Sequence, residues 1–254
     1  MRGVWWAAGT AGGQGTFGVQ ITGRNGVPAG ATAVALNVTV TNPRETGYLT
    51  VFPSGQPAPS TSSLNFTAGQ TVANSVIAPA GADGKINVRN GAWAGTDVII
   101  DVVGYYGAGS KAAFATWRRG RPAEGGPVRH IDSRGLPPNT WHCLAGGYYP
   151  LHLNTGNRGD LPIEAHVTNL TVTTTTGAGH LSVAPDPNSA HAYQYGYAVK
   201  PPRPTTSALN WTAGKNVSNL AQAKPGPHGV IHLWNQSSRE GHYIVDWFGE
   251  YDAY

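Results

Sequence analysis

The phrase LNFTAGQTVAN at Leu64–Asn74 returns as LNWTAGKNVSN at Leu209–Asn219. A repeat of this kind constrains a fold more than any single motif, because both copies must close a similar core around the same anchors. The likeness spreads outward from the phrase. Residues 37–53 match 169–185 at 8 of 17 positions, and residues 61–106 match 206–251 at 18 of 46. The offset is 132 in the first block and 145 in the second, so copy two carries 13 extra residues between Pro185 and Thr206. The expected organisation is a first module at 1–110, a linker at 111–128, and a second, divergent module at 129–254.

Within each copy the apolar residues alternate. In ATAVALNVTVT, Val34, Leu36, Val38 and Val40 share one face, while Ala35, Asn37, Thr39 and Thr41 share the other. That period of two belongs to half-buried strands. GYLTVFP, DGKINVRN and TDVIIDVVGYY read the same way, separated by NP, SG and ADG turn signals. With 35 Gly, 19 Pro and only 12% charged residues, the chain is poor in the material of surface helices. Several short strands per copy predict an all-β protein of two tandem antiparallel sandwiches, each jelly-roll-like.

Chemistry leaves few traces. The formal charge of +4 is not gathered into a basic run, and the Arg118, Arg119 and Arg121 cluster sits in a Gly/Pro-rich stretch. No nucleic-acid partner is expected. Cys143 is the only cysteine, which excludes an intrachain disulfide and a cysteine-based zinc site. Although it follows Trp141-His142, no nucleophile signature surrounds it, and no GxSxG or GxxxxGK[ST] string occurs. The opening MRGVWWAAGTAGGQG lacks the apolar core of a signal peptide, and no run reaches membrane-span length.

GVPAGATAVALNVTVTNP, GYLTVFPSG, LNFTAGQTVAN, APAGADGKINVRN and DVIIDVVGYY together resemble a module common in secreted proteins of actinobacteria such as Streptomyces. Such modules occur alone, in tandem, or joined to hydrolases such as proteases and amidases. The resemblance implies an extracellular accessory or surface module, and not a known reaction. Members begin with a strand like RLLDTR. Copy two has its counterpart in Arg129-His130-Ile131-Asp132-Ser133-Arg134. Copy one offers only MRGVWWAAG, so its first strand is truncated, replaced by Val4-Trp5-Trp6, or supplied by another chain. The last option would make the N-terminal segment a route to self-association.

Asp101 and Asp246 are equivalent, in IIDVVGYY and IVDWFGEY. A carboxylate among apolar strand neighbours is costly unless it is paired, and in copy two Arg129 or Arg134 could be the partner. With Asp132 these are structural candidates. So are the recurring asparagines Asn37/Asn169, Asn65/Asn210, Asn74/Asn219 and Asn90/Asn235, suited to clamping turns. Phe66 and Trp211 stand in the repeated phrase as core anchors or as ligand contacts. Copy one has nothing like the extra segment His191-Ala192-Tyr193-Gln194-Tyr195-Gly196-Tyr197, which reads as an extended strand with three tyrosines on one side. Flat aromatic faces suit sugar rings, which makes His191, Tyr193, Tyr195, Tyr197 and Trp211 the candidate ligand contacts.

All nine histidines lie from His130 onward. His228 and His232 in HGVIH are expected to share a strand face near His242, yet no HExxH occurs, and scattered surface positions are expected rather than a metal site. They would make the second copy responsive to pH. No cofactor is expected. The resulting expectation is a non-catalytic extracellular binding or scaffolding protein with a cell-wall polysaccharide or protein partner. The alternative is a structural subunit of an extracellular filament or phage-like assembly.

Overall fold

The computed structural model describes residues 4–107, 109–116, 127–135, 144–153 and 163–253. Cys143 and the Arg118–Arg121 cluster lie outside the described residues. The chain divides into two compact units, Gly3–Ser110 and Lys111–Tyr254.

The first unit runs β1 (Val4–Ala11), β2 (Thr16–Gln20), β3 (Ala31–Thr41), β4 (Gly47–Pro53), β5 (Leu64–Phe66), β6 (Val72–Pro79), β7 (Lys85–Asn90) and β8 (Thr96–Gly107). They form two antiparallel sheets, ordered β1-β8-β3-β6 and β2-β7-β4-β5. The pairs β1·β8, β2·β7, β3·β6 and β4·β5 are those of one long hairpin of eight strands folded over itself. Cross-pairs β3·β8 and β4·β7 complete a jelly roll. Leu36, Val38, Val40, Leu49, Ile86, Val88, Val98 and Ile100 fill the space between the sheets, as the alternation predicts.

The second unit repeats this order with β10 (Val128–Asp132), β11 (Tyr148–His152), β12 (Ile163–Thr173), β13 (Gly179–Pro185), β14 (Leu209–Trp211), β15 (Val217–Ala223), β16 (Val230–Asn235) and β17 (His242–Ala253). Its sheets are β10-β17-β12-β15 and β11-β16-β13-β14. Even the irregularities recur. β8 bulges against β3 between Gly104 and Val102, and β17 bulges against β12 between Gly249 and Trp247. The core is bulkier, with Tyr243 and Trp247 where the first unit has Val98 and Val102.

The repeated phrase closes one end of each sandwich. Phe66 and Trp211 are buried and lie opposite Gly47 and Gly179 on the facing strand. A Cβ on Gly47 would come 3.0 Å from the Phe66 ring, and one on Gly179 would come 2.9 Å from the Trp211 ring. The next turn donates an amide back across the end: Gly69 N–H to Pro43 O and Gly214 N–H to Thr175 O, each at 2.8 Å. Both glycines hold positive φ (72° and 73°), which a side chain would disfavour. Asn74 and Asn219 then clamp the preceding segment, donating to Ser63 O and Ala208 O at 2.7 Å. Asn210 donates to Ser207 Oγ, whereas Asn65 is exposed.

Two expectations change. Residues 112–116, expected in a linker, form β9 (Ala112–Thr116) and pair with Gly249–Ala253. β10 covers β17 only over Ile244–Trp247, and β9 hydrogen-bonds the remaining edge. In the first unit, Val4–Ala11 itself occupies the place of the RLLDTR-like strand, so that position is filled by the chain's own residues.

That replacement separates the two equivalent aspartates. Arg129 faces Asp246 in register and binds it twice, Nε to Oδ1 at 2.5 Å and Nη2 to Oδ2 at 3.3 Å. Arg134 instead binds Asp132, holding that carboxyl down at about 2. The Asp246 pair is half-open, with the carboxylate 21% exposed, rather than buried. At the corresponding place the strand position paired with Asp101 is Trp5 rather than an arginine. Asp101 is 2% exposed, and burial lifts its carboxyl to about 6. Between the ordinary aspartate range and about 6 the folded unit holds a proton that the unfolded chain has released. Stability of the first unit therefore falls as pH rises through that window, by about 3 kcal/mol in total. Asp101→Asn should raise the melting temperature of that unit at pH 7 and remove most of this loss, as followed by calorimetry from pH 4 to 7.

Candidate functional site in the second unit

The 13 extra residues of the second copy fold into a cover on one sheet. Asp186 is fully buried and accepts from Asn188 N–H (2.8 Å), Asn188 Nδ2 (2.9 Å) and the Tyr193 hydroxyl (2.7 Å). Asn188 also exchanges two 2.8 Å bonds with the Val199 backbone, closing the segment into a loop. Inside it, α1 (Ala190–Gln194) starts at Ser189, whose hydroxyl accepts from Ala192 N–H. It stops at Gly196, at φ 75°, with Tyr197 N–H bonded to Ala192 O. The segment expected as an extended strand is thus a single helical turn, because a capping serine and a C-terminal glycine flank it.

This geometry sorts the expected ligand contacts. Tyr193 turns inward to Asp186, and burial together with that hydrogen bond pushes its phenol well above the ordinary value. Trp211, expected as a ligand contact, is a core side chain, 5% exposed and donating Nε1–H to Gly177 O. Tyr195 and Tyr197 face solvent, at 63% and 60% exposure, on either side of the Gly196 turn. His191 lies between them, its ring centroid 4.2 Å from Tyr195 and 5.8 Å from Tyr197, with Nδ1 hydrogen-bonded to the Tyr197 hydroxyl. The three rings form a fixed aromatic cluster with hydrogen-bonding groups at its edge. Such a surface can stack on an apolar ring face while its hydroxyls engage polar substituents.

The cover also explains the sheet beneath it. In the first unit the outward residues of β7, Lys85, Asn87 and Arg89, are half-buried. Their equivalents on β16 are Val230, His232 and Trp234, and all six residues of that strand are buried. Tyr148 stacks on Trp234 with centroids 5.0 Å apart, and Lys200 Nζ lies 5.7 Å above the same indole. Arg203, through Nε, and Pro204, through its carbonyl, tie the far end of the cover to Gln236. Loss of the period-two pattern in VIHLWN is the signal that marks this cover in the sequence.

Two histidines expected at the surface are buried instead. His232 lies under the cover, 3.5 Å from Asp186, and burial lowers its pKa below the ordinary imidazole value. His166 sits 3.7 Å from the Glu250 carboxylate, with its edge against Trp247, and burial takes it down to about 4. His228 occupies an exposed turn, and His242 bonds Ser133 Oγ. Among the described residues no group of three or more metal-ligating side chains converges. The Asp186–His232 pair is sealed from solvent and offers no face to a substrate.

No family model matches the chain, and no curated protein matches it. Among solved structures, the tandem CBM22-1–CBM22-2 domains of Paenibacillus barcinonensis Xyn10C superpose with a TM-score of 0.28 at 10% identity, covering 100% of this chain and 98% of that one. The atomic structure of Sulfolobus Turreted Icosahedral Virus gives 0.25 at 11% identity, over 96% of this chain and 57% of that one. The ANXUR1 extracellular domain of Arabidopsis thaliana gives 0.23 at 10% identity, over 94% and 83%. Superpositions this loose carry no residue equivalence and no function across.

Two outcomes follow from the buried groups. Below the ordinary histidine range the unfolded chain takes a proton that folded His166 refuses. Stability of the second unit is therefore complete above about pH 6.5 and is lost as pH falls toward 4, by about 3 kcal/mol from this residue. Calorimetry should show its transition moving down on acidification, with the shift reduced in His166→Asn. Tyr193→Phe removes a donor from buried Asp186 and should destabilise the cover by about 1–3 kcal/mol. Faster chymotryptic cleavage around Tyr195 and Tyr197 would report it.

Proposed function

We propose that the chain is a non-catalytic, extracellular binding protein whose second unit takes a polysaccharide on the His191–Tyr195–Tyr197 cluster. The observation that carries this reading is the solvent-facing tyrosine pair, held in place by the capped turn and by the His191–Tyr197 hydrogen bond. Rings already fixed before binding lose little side-chain entropy when a sugar stacks on them. The cover is an addition to a jelly roll that its sister unit completes without one, so its exposed rings are not required by the fold. Surface placement accords with the resemblance to secreted actinobacterial modules. No helix among the described residues is long and apolar enough to cross a membrane.

The test is retention of the purified protein on insoluble peptidoglycan, chitin and cellulose. Tyr195→Ala with Tyr197→Ala should weaken retention about tenfold or more while leaving the melting temperature unchanged, because both rings are exposed. Equal retention of wild type and double variant would overturn the reading. Large particles in electron micrographs of the purified protein would replace it with the assembly-subunit alternative.

A further inference from the structure

The first unit carries the most exposed aromatic among the described residues, and it sits on a different kind of support. Trp93, in the β7–β8 loop GAWAG, is 84% exposed. The loop beneath it is rigidly held. The Glu45 carboxylate accepts from Trp93 N–H and, at 2.7 Å, from Ala94 N–H. Asn90, fully buried, accepts from Ala92 N–H at 2.9 Å and donates to Ala94 O at 2.9 Å. Gln14 adds a backbone bond to Ala92 O and a side-chain bond to Gly91 O, at 2.8 and 2.7 Å.

The sister unit provides an internal control. Asn235 makes the same clamp, accepting from Ser237 N–H at 3.0 Å and donating to Arg239 O at 2.9 Å. The residue at the crest of that loop, equivalent to Trp93, is Ser238. The loop therefore forms without an indole, and the fold gains nothing from placing one in water.

At the end of the unit where Glu45 holds this loop lies a shallow depression of about 420 Å³, with Tyr48, Asn65, Thr67 and Gln70 in its wall. Glu45, which pins the tryptophan, directly precedes Thr46 in that wall, and the Tyr48 ring packs against Gly91, two residues before Trp93. Gln70 Oε1 is engaged by Thr67 N–H at 3.0 Å, which leaves the amide donors for a ligand. No charged side chain lines the depression, whereas the second unit has His180 and Lys215 in place of Tyr48 and Gln70. An exposed indole on a pinned loop, together with a depression walled by hydroxyl and carboxamide groups and no charged side chain, matches a neutral polyhydroxylated chain.

We infer that Trp93 and the Tyr48–Asn65–Thr67–Gln70 depression at the same end of the first unit form a separate binding site for a neutral polysaccharide. One hexopyranose unit stacks on the indole, and hydroxyls of the same polymer chain are met by Asn65, Thr67 and Gln70. The site shares no residue with the tyrosine cluster, and either can fail without the other.

Native affinity electrophoresis of the full chain in gels containing hydroxyethylcellulose, glucomannan or soluble xylan tests this. Trp93→Ser copies the residue that the sister loop already tolerates, so unchanged melting is expected. Retardation by at least one of these neutral polymers should weaken about tenfold in Trp93→Ser and in Asn65→Ala, and persist in Tyr195→Ala with Tyr197→Ala. It should also be insensitive to added salt, since no ion pair is involved. Retardation unaffected by Trp93→Ser, absent from all three polymers, or abolished by salt would overturn the site. So would a Trp93-dependent dimer in light scattering, which would make the indole a protein contact.

Discussion

Closure of each sandwich turns on one contact: a large ring, Phe66 or Trp211, set over a glycine on the facing strand. The ring fills the end of the core only because the opposite position has no Cβ. Its neighbours follow from it. A left-handed glycine turns the chain back, its amide ties off a carbonyl across the end, and an asparagine holds the incoming segment. Remove the ring or fill the glycine, and the hairpin β4–β5 or β13–β14 loses its seat, along with the loop that sits beside it. The repeated phrase is therefore a closure device, which accounts for its persistence where the rest of the two copies has drifted.

Much of this was legible beforehand, for physical reasons. Alternation survives in ATAVALNVTVT because one face of the strand packs on the opposite sheet, although the other face, expected at the solvent, is buried as well at Ala35, Asn37 and Thr39. The glycine and asparagine signals reflect backbone demands that few residues meet. What stayed hidden was whatever depends on a third layer or on a partner far along the chain. β9 reads as linker because its Ala-rich residues show no alternation. The turn at Ala190–Gln194 reads as extended because tyrosines two apart mimic a strand, while Ser189 and Gly196, its true limits, resemble loop residues. His232 looks like a surface histidine until the cover above β16 is known. Trp93 carries no periodic signal, and only its contrast with Ser238 in a matched loop sets it apart.

The two units show how one scaffold distributes charge differently. Where the second unit places Arg129 opposite Asp246, the first places Trp5 opposite Asp101. The same carboxylate is ion-paired in one and shielded from water in the other. Burial acts on a base in the second unit, at His166, and on an acid in the first. Mild acid therefore pulls the two halves of one chain in opposite directions, although they share strand order and bulges.

β9 alters what counts as a unit. Sequence similarity would begin the second copy at Arg129, but the backbone ladder along β17 is completed by Ala112–Thr116. A fragment cut at the similarity boundary would present Gly249–Ala253 as a bare sheet edge, open to pairing with any extended chain. The sequence repeat and the compact unit thus have different starting points, and a rearrangement that keeps this edge paired must carry the intervening strand with it.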